Sequence, residues 1–173
     1  MKKYIFLLFL ISTSYANDRT SVKWVQDGMN IRTESFIYYG NSNKPMYSAL
    51  NIEFSIQSKC NEAFVSVISM KDKKLGKKKS HDFVSATEKN NRLNFYINNK
   101  EFIYGAEKTI RVIYDNGVEF GTLPSLNLIT ALTESEGPIE VKIGDAILTR
   151  IENSKGNSKF LQDAKNFCLN KIR

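Results

Sequence analysis

The chain carries a single imidazole, His81, and two thiols, Cys60 and Cys168, so nucleophilic catalysis has few ways to be assembled from it. A Ser-His-Asp enzyme would have to use His81 as its base, and no Gly-x-Ser-x-Gly segment is present to hold a serine on a strained turn. Either cysteine beside His81 would make a thiol nucleophile, but an even pair of thiols is better explained by the two binding each other. Carboxylates such as Glu134, Glu136, Glu140 and Asp145 are numerous enough to supply a glycosidase pair, yet that chemistry depends on a spatial separation that sequence spacing does not encode. One imidazole and two thiols fall short of a four-ligand zinc pattern, and no phosphate-cradling glycine loop, calcium loop or haem motif occurs. The sequence is therefore read as non-catalytic, with no cofactor and no metal.

Binding chemistry is better represented. Lys71, Lys73, Lys74, Lys77, Lys78 and Lys79 place six lysines in nine residues. This density suits first a solvated loop or hairpin tip whose charges keep a sheet edge from pairing with another chain, and second a tip that binds phosphate or carboxylate polymers. No aromatic residue interleaves with the lysines to stack on bases, so nucleic acid is not expected. Tyr38 and Tyr39, followed by the polar loop from Gly40 to Pro45, offer aromatic surface for a protein or glycan. Together with Trp24 they also fit as ordinary half-buried strand residues.

The elements that must position these residues are mostly strands. Leu50, Ile52, Phe54 and Ile56 alternate with Asn51, Glu53, Ser55 and Gln57, a period of two that predicts a strand with one buried face, and continuing the parity brings Cys60 to that face. After a break at Lys59 to Glu62, the run from Phe64 to Ile68 is expected to return antiparallel. Leu93 to Ile97 and Phe102 to Tyr104 flank an Asn98-Asn99-Lys100 turn, and the strand from Thr109 to Tyr114 leads through Asp115-Asn116-Gly117 into Val118 and Phe120. Val22 to Gln26, Ile31 to Tyr39, Ile139 to Ile143 and Ala146 to Ile151 also read as strands, the last two joined at Gly144-Asp145. The expectation is eight or nine short strands in a mainly β fold, an antiparallel β-sandwich or partly closed barrel. A short crossing helix is predicted after Ser125, with Leu126, Ile129 and Leu132 on one stripe. A C-terminal helix capped by Asn157 or Ser158 would stack Leu161, Ala164 and Cys168, with Phe160 and Phe167 widening its apolar side.

Compartment is read from the N-terminus. Lys2 and Lys3, the apolar run from Ile5 to Ile11, and Ser14-Tyr15-Ala16 have the order of a signal peptide over residues 1–16, leaving a single β-rich domain over residues 17–173. The run is shorter than the roughly 20 residues of a membrane-crossing helix, and none follows, so no span is expected in the mature chain. The whole chain has a net charge of +7, and losing Lys2 and Lys3 leaves +5, which favours acidic envelope polymers or acidic proteins as partners. In an oxidising periplasmic or secreted setting Cys60 and Cys168 are expected to pair, the competing readings being two buried free thiols or a metal pair.

Trp24, the strand that runs from Leu50 into Cys60, the middle hairpins and the closing helix near Cys168 together resemble the periplasmic accessory proteins associated with type VI secretion. There is a looser likeness to the invasion-associated locus B proteins. The resemblance covers most of residues 22–169 and implies a β-sandwich closed by a helix, with a role in the envelope. The lysine run is not part of that pattern. The expected function is a non-catalytic interaction or accessory module for a secretion or surface machine; the alternative is a periplasmic inhibitor or immunity protein against a lytic enzyme or toxin.

Overall fold

Alternating side chains and turn-forming pairs build nearly all of this molecule. The computed structural model describes residues 23–37, 46–72, 74–83, 92–152 and 154–173; the expected signal peptide, Tyr38, Tyr39 and Lys73 lie outside the described residues. The strands are β1 (Lys23–Asp27), β2 (Asn30–Ile37), β3 (Met46–Phe54), β4 (Ala63–Met70), β5 (Lys78–Phe83), β6 (Leu93–Ile97), β7 (Lys100–Tyr104), β8 (Thr109–Tyr114), β9 (Gly117–Thr122), β10 (Ile139–Ile143) and β11 (Ala146–Ile151). Helix α1 (Leu126–Thr133) precedes β10, and α2 (Asn157–Lys171) follows β11.

Two antiparallel sheets result, a seven-stranded one in the order β1-β2-β3-β4-β9-β8-β5 and a four-stranded one in the order β11-β10-β6-β7. Both keep free edges, so the fold is a sandwich and not a barrel. The chain leaves the large sheet after β5, makes the β6-β7 hairpin in the small sheet, and returns through β8 and β9 to fill the place between β4 and β5. In the β6-β7 turn both Asn98 and Asn99 take left-handed backbone angles, φ 50° and 62°, which asparagine tolerates at little cost.

Leu50, Ile52 and Phe54 of β3 and Val65 and Val67 of β4 point inward to meet Leu93, Phe95 and Ile97 of β6 and Ile139 and Val141 of β10 in one core. Leu128 and Leu132 of α1 and Leu161, Ala164 and Cys168 of α2 complete it, so the small sheet and both helices share the inner side of the large sheet. The Cys60–Cys168 disulfide is formed, with Cα atoms 6.0 Å apart, and both cysteines are fully buried.

Several expectations need correction. Eleven strands are present among the described residues where eight or nine were expected; the one that no segment announced is β5, a hydrophilic strand every residue of which is exposed and which carries no alternation. Strand β3 ends at Phe54; Ile56 lies in the following turn and is 45% exposed. Cys60 therefore reaches the core through the turn and not through strand parity, by way of left-handed angles at Lys59 and Cys60. In α1 the buried stripe is Leu128, Ile129 and Leu132, while Leu126 is exposed; Ser125 does cap it, accepting from the Leu128 amide. The N-cap of α2 is Gly156, at φ 90°, because the side chain of Asn157 is used elsewhere: buried, it donates to the Leu132 carbonyl at the end of α1 at 2.6 Å.

Candidate functional site

Directly opposed residues of an antiparallel pair share a face, so the strand registers place the outer face of the large sheet residue by residue. One row across it reads Val25, Arg32, Asn51, Ser66, Gly121 and Ile110. The next carries Ala49, Ile68, Glu119, Val112 and His81. A third carries Tyr47, Met70, Gly117, Tyr114 and Lys78. The helices and the small sheet are all on the other side. Across the second and third rows Tyr47, Ala49 and Met70 form a small buried cluster with Ile68 packed against it. At the opposite end, where β3 leads into the disulfide-bearing turn, the face opens into a groove of about 720 Å³ that draws its walls from β1, β2, β3, β4, β9 and β8.

The chemistry of this groove is centred on Glu119. Its carboxylate accepts from the Ser66 hydroxyl at 2.6 Å and from the Tyr114 hydroxyl at 2.8 Å, so its orientation is set from two neighbouring strands. Burial, followed by the hydrogen bond to Glu119 and the charge of that carboxylate, pushes the Tyr114 phenol up to about 12. Tyr114 is thus a proton-holding donor over the whole physiological range. Gly121 faces Ser66 directly, and a Cβ there would sit 3.2 Å from the Ser66 Cβ, so the glycine leaves the serine room to turn toward Glu119. Phe64, 40% exposed, stands at the rim beside Glu53. Arg32 lines the β2 wall and lies 3.6 Å from Glu34.

The lysine run is divided between two structures. Lys71 and Lys74 belong to a loop that the β8-β9 turn holds down: Asn116 donates to the Lys74 carbonyl at 2.8 Å, accepts from the Gly76 amide at 2.8 Å, and its own carbonyl accepts from the Lys71 amide at 2.9 Å. Lys77 follows, its carbonyl accepting from the Asp115 amide. Lys78 and Lys79 are the first residues of β5, the edge strand of the large sheet, and Lys79 pairs with Asp115 at 3.0 Å. Among its described residues the run is a latched loop that leads into an edge strand, at the far end of the sheet from the disulfide-bearing turn, with Lys78 directly opposite Tyr114.

The remaining sequence candidates are dispersed. His81 is exposed on β5 with its neighbour Asp82 gripped by Arg111 at 2.6 and 3.0 Å, a hydrogen-bonded pairing that holds the Asp82 carboxyl below its ordinary range. The two cysteines are consumed by their disulfide. Glu140 is taken up by Lys142 at 2.7 Å and Arg150 at 3.8 Å on the outer side of the small sheet. Trp24 packs against the core instead of presenting a contact surface, and no group of three or more potential metal ligands occurs among the described residues. Glu119, Ser66 and Tyr114 were not singled out from sequence. The polar parity of Asn51 and Glu53 marked one outward strand face, but which other residues join it depends on β9 lying next to β4.

In comparisons with protein-family models, with curated proteins and with solved structures, nothing matches this chain.

Proposed function

We propose that this protein is a non-catalytic interaction module of the bacterial envelope that serves a secretion or surface machine, presenting the outer face of its seven-stranded sheet to a protein component of that machine. The observation that carries this reading is the face itself: a groove built by six strands, on the side of the sheet away from the small sheet and both helices. Export is supported by the disulfide, since such bonds persist in oxidising compartments, and by the signal-like order of residues 1–16. No described helix is long and apolar enough to cross a membrane. The resemblance to periplasmic accessory proteins of type VI secretion supports the same role. An inhibitor that plugs an active site would present a projecting element; among the described residues the loop after β4 is pinned by Asn116 and the shaped feature is concave, which favours the accessory role over inhibition.

Export predicts a mature protein beginning at Asn17 on intact-mass measurement, and a retained 1–16 segment would contradict it. For the contact face, envelope extract is passed over immobilised wild-type protein and over Phe64→Arg, a substitution at an exposed position that leaves folding within about 0.5 kcal/mol. A machine component retained by the wild type and lost with Phe64→Arg is the expected result. Equal retention by both would overturn the outer-face reading, and specific capture of a hydrolase or toxin would replace the accessory role with inhibition.

A further inference from the structure

We infer that the groove receives a basic peptide segment of the partner protein and seats a lysine or arginine side chain on the Glu119 carboxylate. This deepens, and rests on, the reading of the outer face as the contact surface. The first argument is charge. Three carboxylates, Asp27, Glu53 and Glu119, line the groove against one cation, Arg32, which already has Glu34 beside it. The full chain carries +7, and the mature chain, without Lys2 and Lys3, +5. The groove is thus an acidic place on a basic protein, with the described lysines of the run beyond it toward β5, the nearest of them, Lys78, opposite Tyr114, so a cationic segment is drawn into the groove and away from that edge.

The second argument is preorganisation. An ionised carboxylate offers about four lone-pair sites, and Ser66 and Tyr114 occupy two of them while holding the group in place. Among the described residues no lysine or arginine pairs with Glu119. The acceptor capacity that remains matches an ammonium or guanidinium, whose charge-assisted hydrogen bonds are the strong ones.

The third argument is shape. Val112, paired with Glu119, and Ile110 on the same strand provide apolar wall for the methylene stem of a long cationic side chain, while Phe64 and Val25 offer apolar surface further along the groove. Six strands at a spacing of ~4.8 Å make the groove ~24 Å across. That is the reach of a peptide segment and well beyond that of a simple amine. Asn51, midway along the floor, has an amide able both to donate to and to accept from a peptide backbone.

The test is a titration of the mature, oxidised protein followed by amide chemical shifts, with the blocked peptide Ile-Lys-Ile-Arg-Ile as probe and Ile-Glu-Ile-Glu-Ile as its acidic counterpart. The basic peptide should shift residues 51–53, 64–66 and 119–121 saturably, lose affinity as salt is raised, and bind on the order of tenfold more weakly to Glu119→Gln. Replacement of Lys77 and Lys78 by Ser should not weaken its binding. Should Glu119→Gln loosen the sheet, Glu53→Gln at the exposed rim gives the same reading with a smaller loss.

A basic peptide that leaves those amides unmoved, or binds Glu119→Gln and Glu53→Gln as tightly as wild type, overturns the inference. Binding of the acidic peptide to the same amides overturns the cationic occupant while leaving the outer face as contact surface. A partner whose capture survives Phe64→Arg overturns the face itself, whatever the peptides do. Concentration-dependent self-association abolished both by Glu119→Gln and by the lysine substitutions would put a second copy in the groove and overturn the partner segment.

Discussion

At the scale of single residues, the outer face is organised by a hydroxyl, a phenol and a carboxylate that cross three strands, Ser66 on β4, Tyr114 on β8 and Glu119 on β9. Tyr114 offers a direct readout of this arrangement. Folding raises its pKa to about 12 from an ordinary 10.0, with burial the leading cause and Glu119 the next. The sign follows: the folded protein holds a proton that the unfolded chain releases first, so Tyr114 favours folding fully below about pH 10, and that contribution is lost as pH rises through 12. A near-ultraviolet tyrosinate titration should show a late phase near pH 12 that disappears in Tyr114→Phe. In Glu119→Gln the phase should move down yet stay above the ordinary value, because burial persists. A Tyr114 phase unmoved by Glu119→Gln would mean that the carboxylate is not held as described.

Elements are joined by a second set of hydroxyls, buried between the sheets. The pairing of β10 with β11 slips between Val141 and Lys142, so that Leu148 has no partner residue on β10. A bulge of this kind leaves a carbonyl outside the ladder. Ser48 of β3 donates to the Leu148 carbonyl at 2.6 Å and Ser69 of β4 at 3.4 Å, while Ser35 of β2 lies 3.2 Å from the Thr149 hydroxyl. The bulge thereby sets how the small sheet sits on the large one. Ser48→Ala should cost about 1 kcal/mol by denaturant unfolding, and Ser48→Ala with Ser69→Ala about 2, since the carbonyl is then buried without a donor; a double variant as stable as wild type would show that the carbonyl finds another donor. The outermost element behaves differently. Strand β5 is exposed along its length and held by the Arg111–Asp82 pairing, and its lysines stand where an uncovered edge would otherwise recruit another chain. Changing Lys77, Lys78 and Lys79 to Ser should leave stability within about 0.5 kcal/mol while raising self-association in sedimentation velocity. Unchanged association would remove the guarding role.

At the scale of the whole molecule, the disulfide fastens the end of α2 to the turn between β3 and β4 across a separation of 108 residues. Cys168→Ser should lower stability by roughly 2 to 5 kcal/mol and leave α2 the first segment to lose amide protection, as read by hydrogen exchange. Uniform loss of protection across α2 and β3 would show that the helix does not open separately. The mainly β architecture, the hairpins at Asn98-Asn99 and Gly144-Asp145, the helix after Ser125 and the pairing of the two cysteines were legible in the order of residues alone. Each of these is a local signal: a period of two, a residue that tolerates a turn, a capping hydroxyl, an even number of thiols. Strand β5 gave no such signal, because an exposed edge buries neither face and has no alternation to display. Gly156 as the cap of α2, and the route by which Cys60 enters the core, were settled by where Asn157 and the turn after Phe54 are needed in the packed molecule. The groove lay furthest from the sequence. Ser66 and Glu119 are 53 residues apart, and they meet only because the chain visits the small sheet and then inserts β8 and β9 between β4 and β5. That juxtaposition is a matter of long-range strand order, and the side chains it brings together carry no local pattern that could announce it.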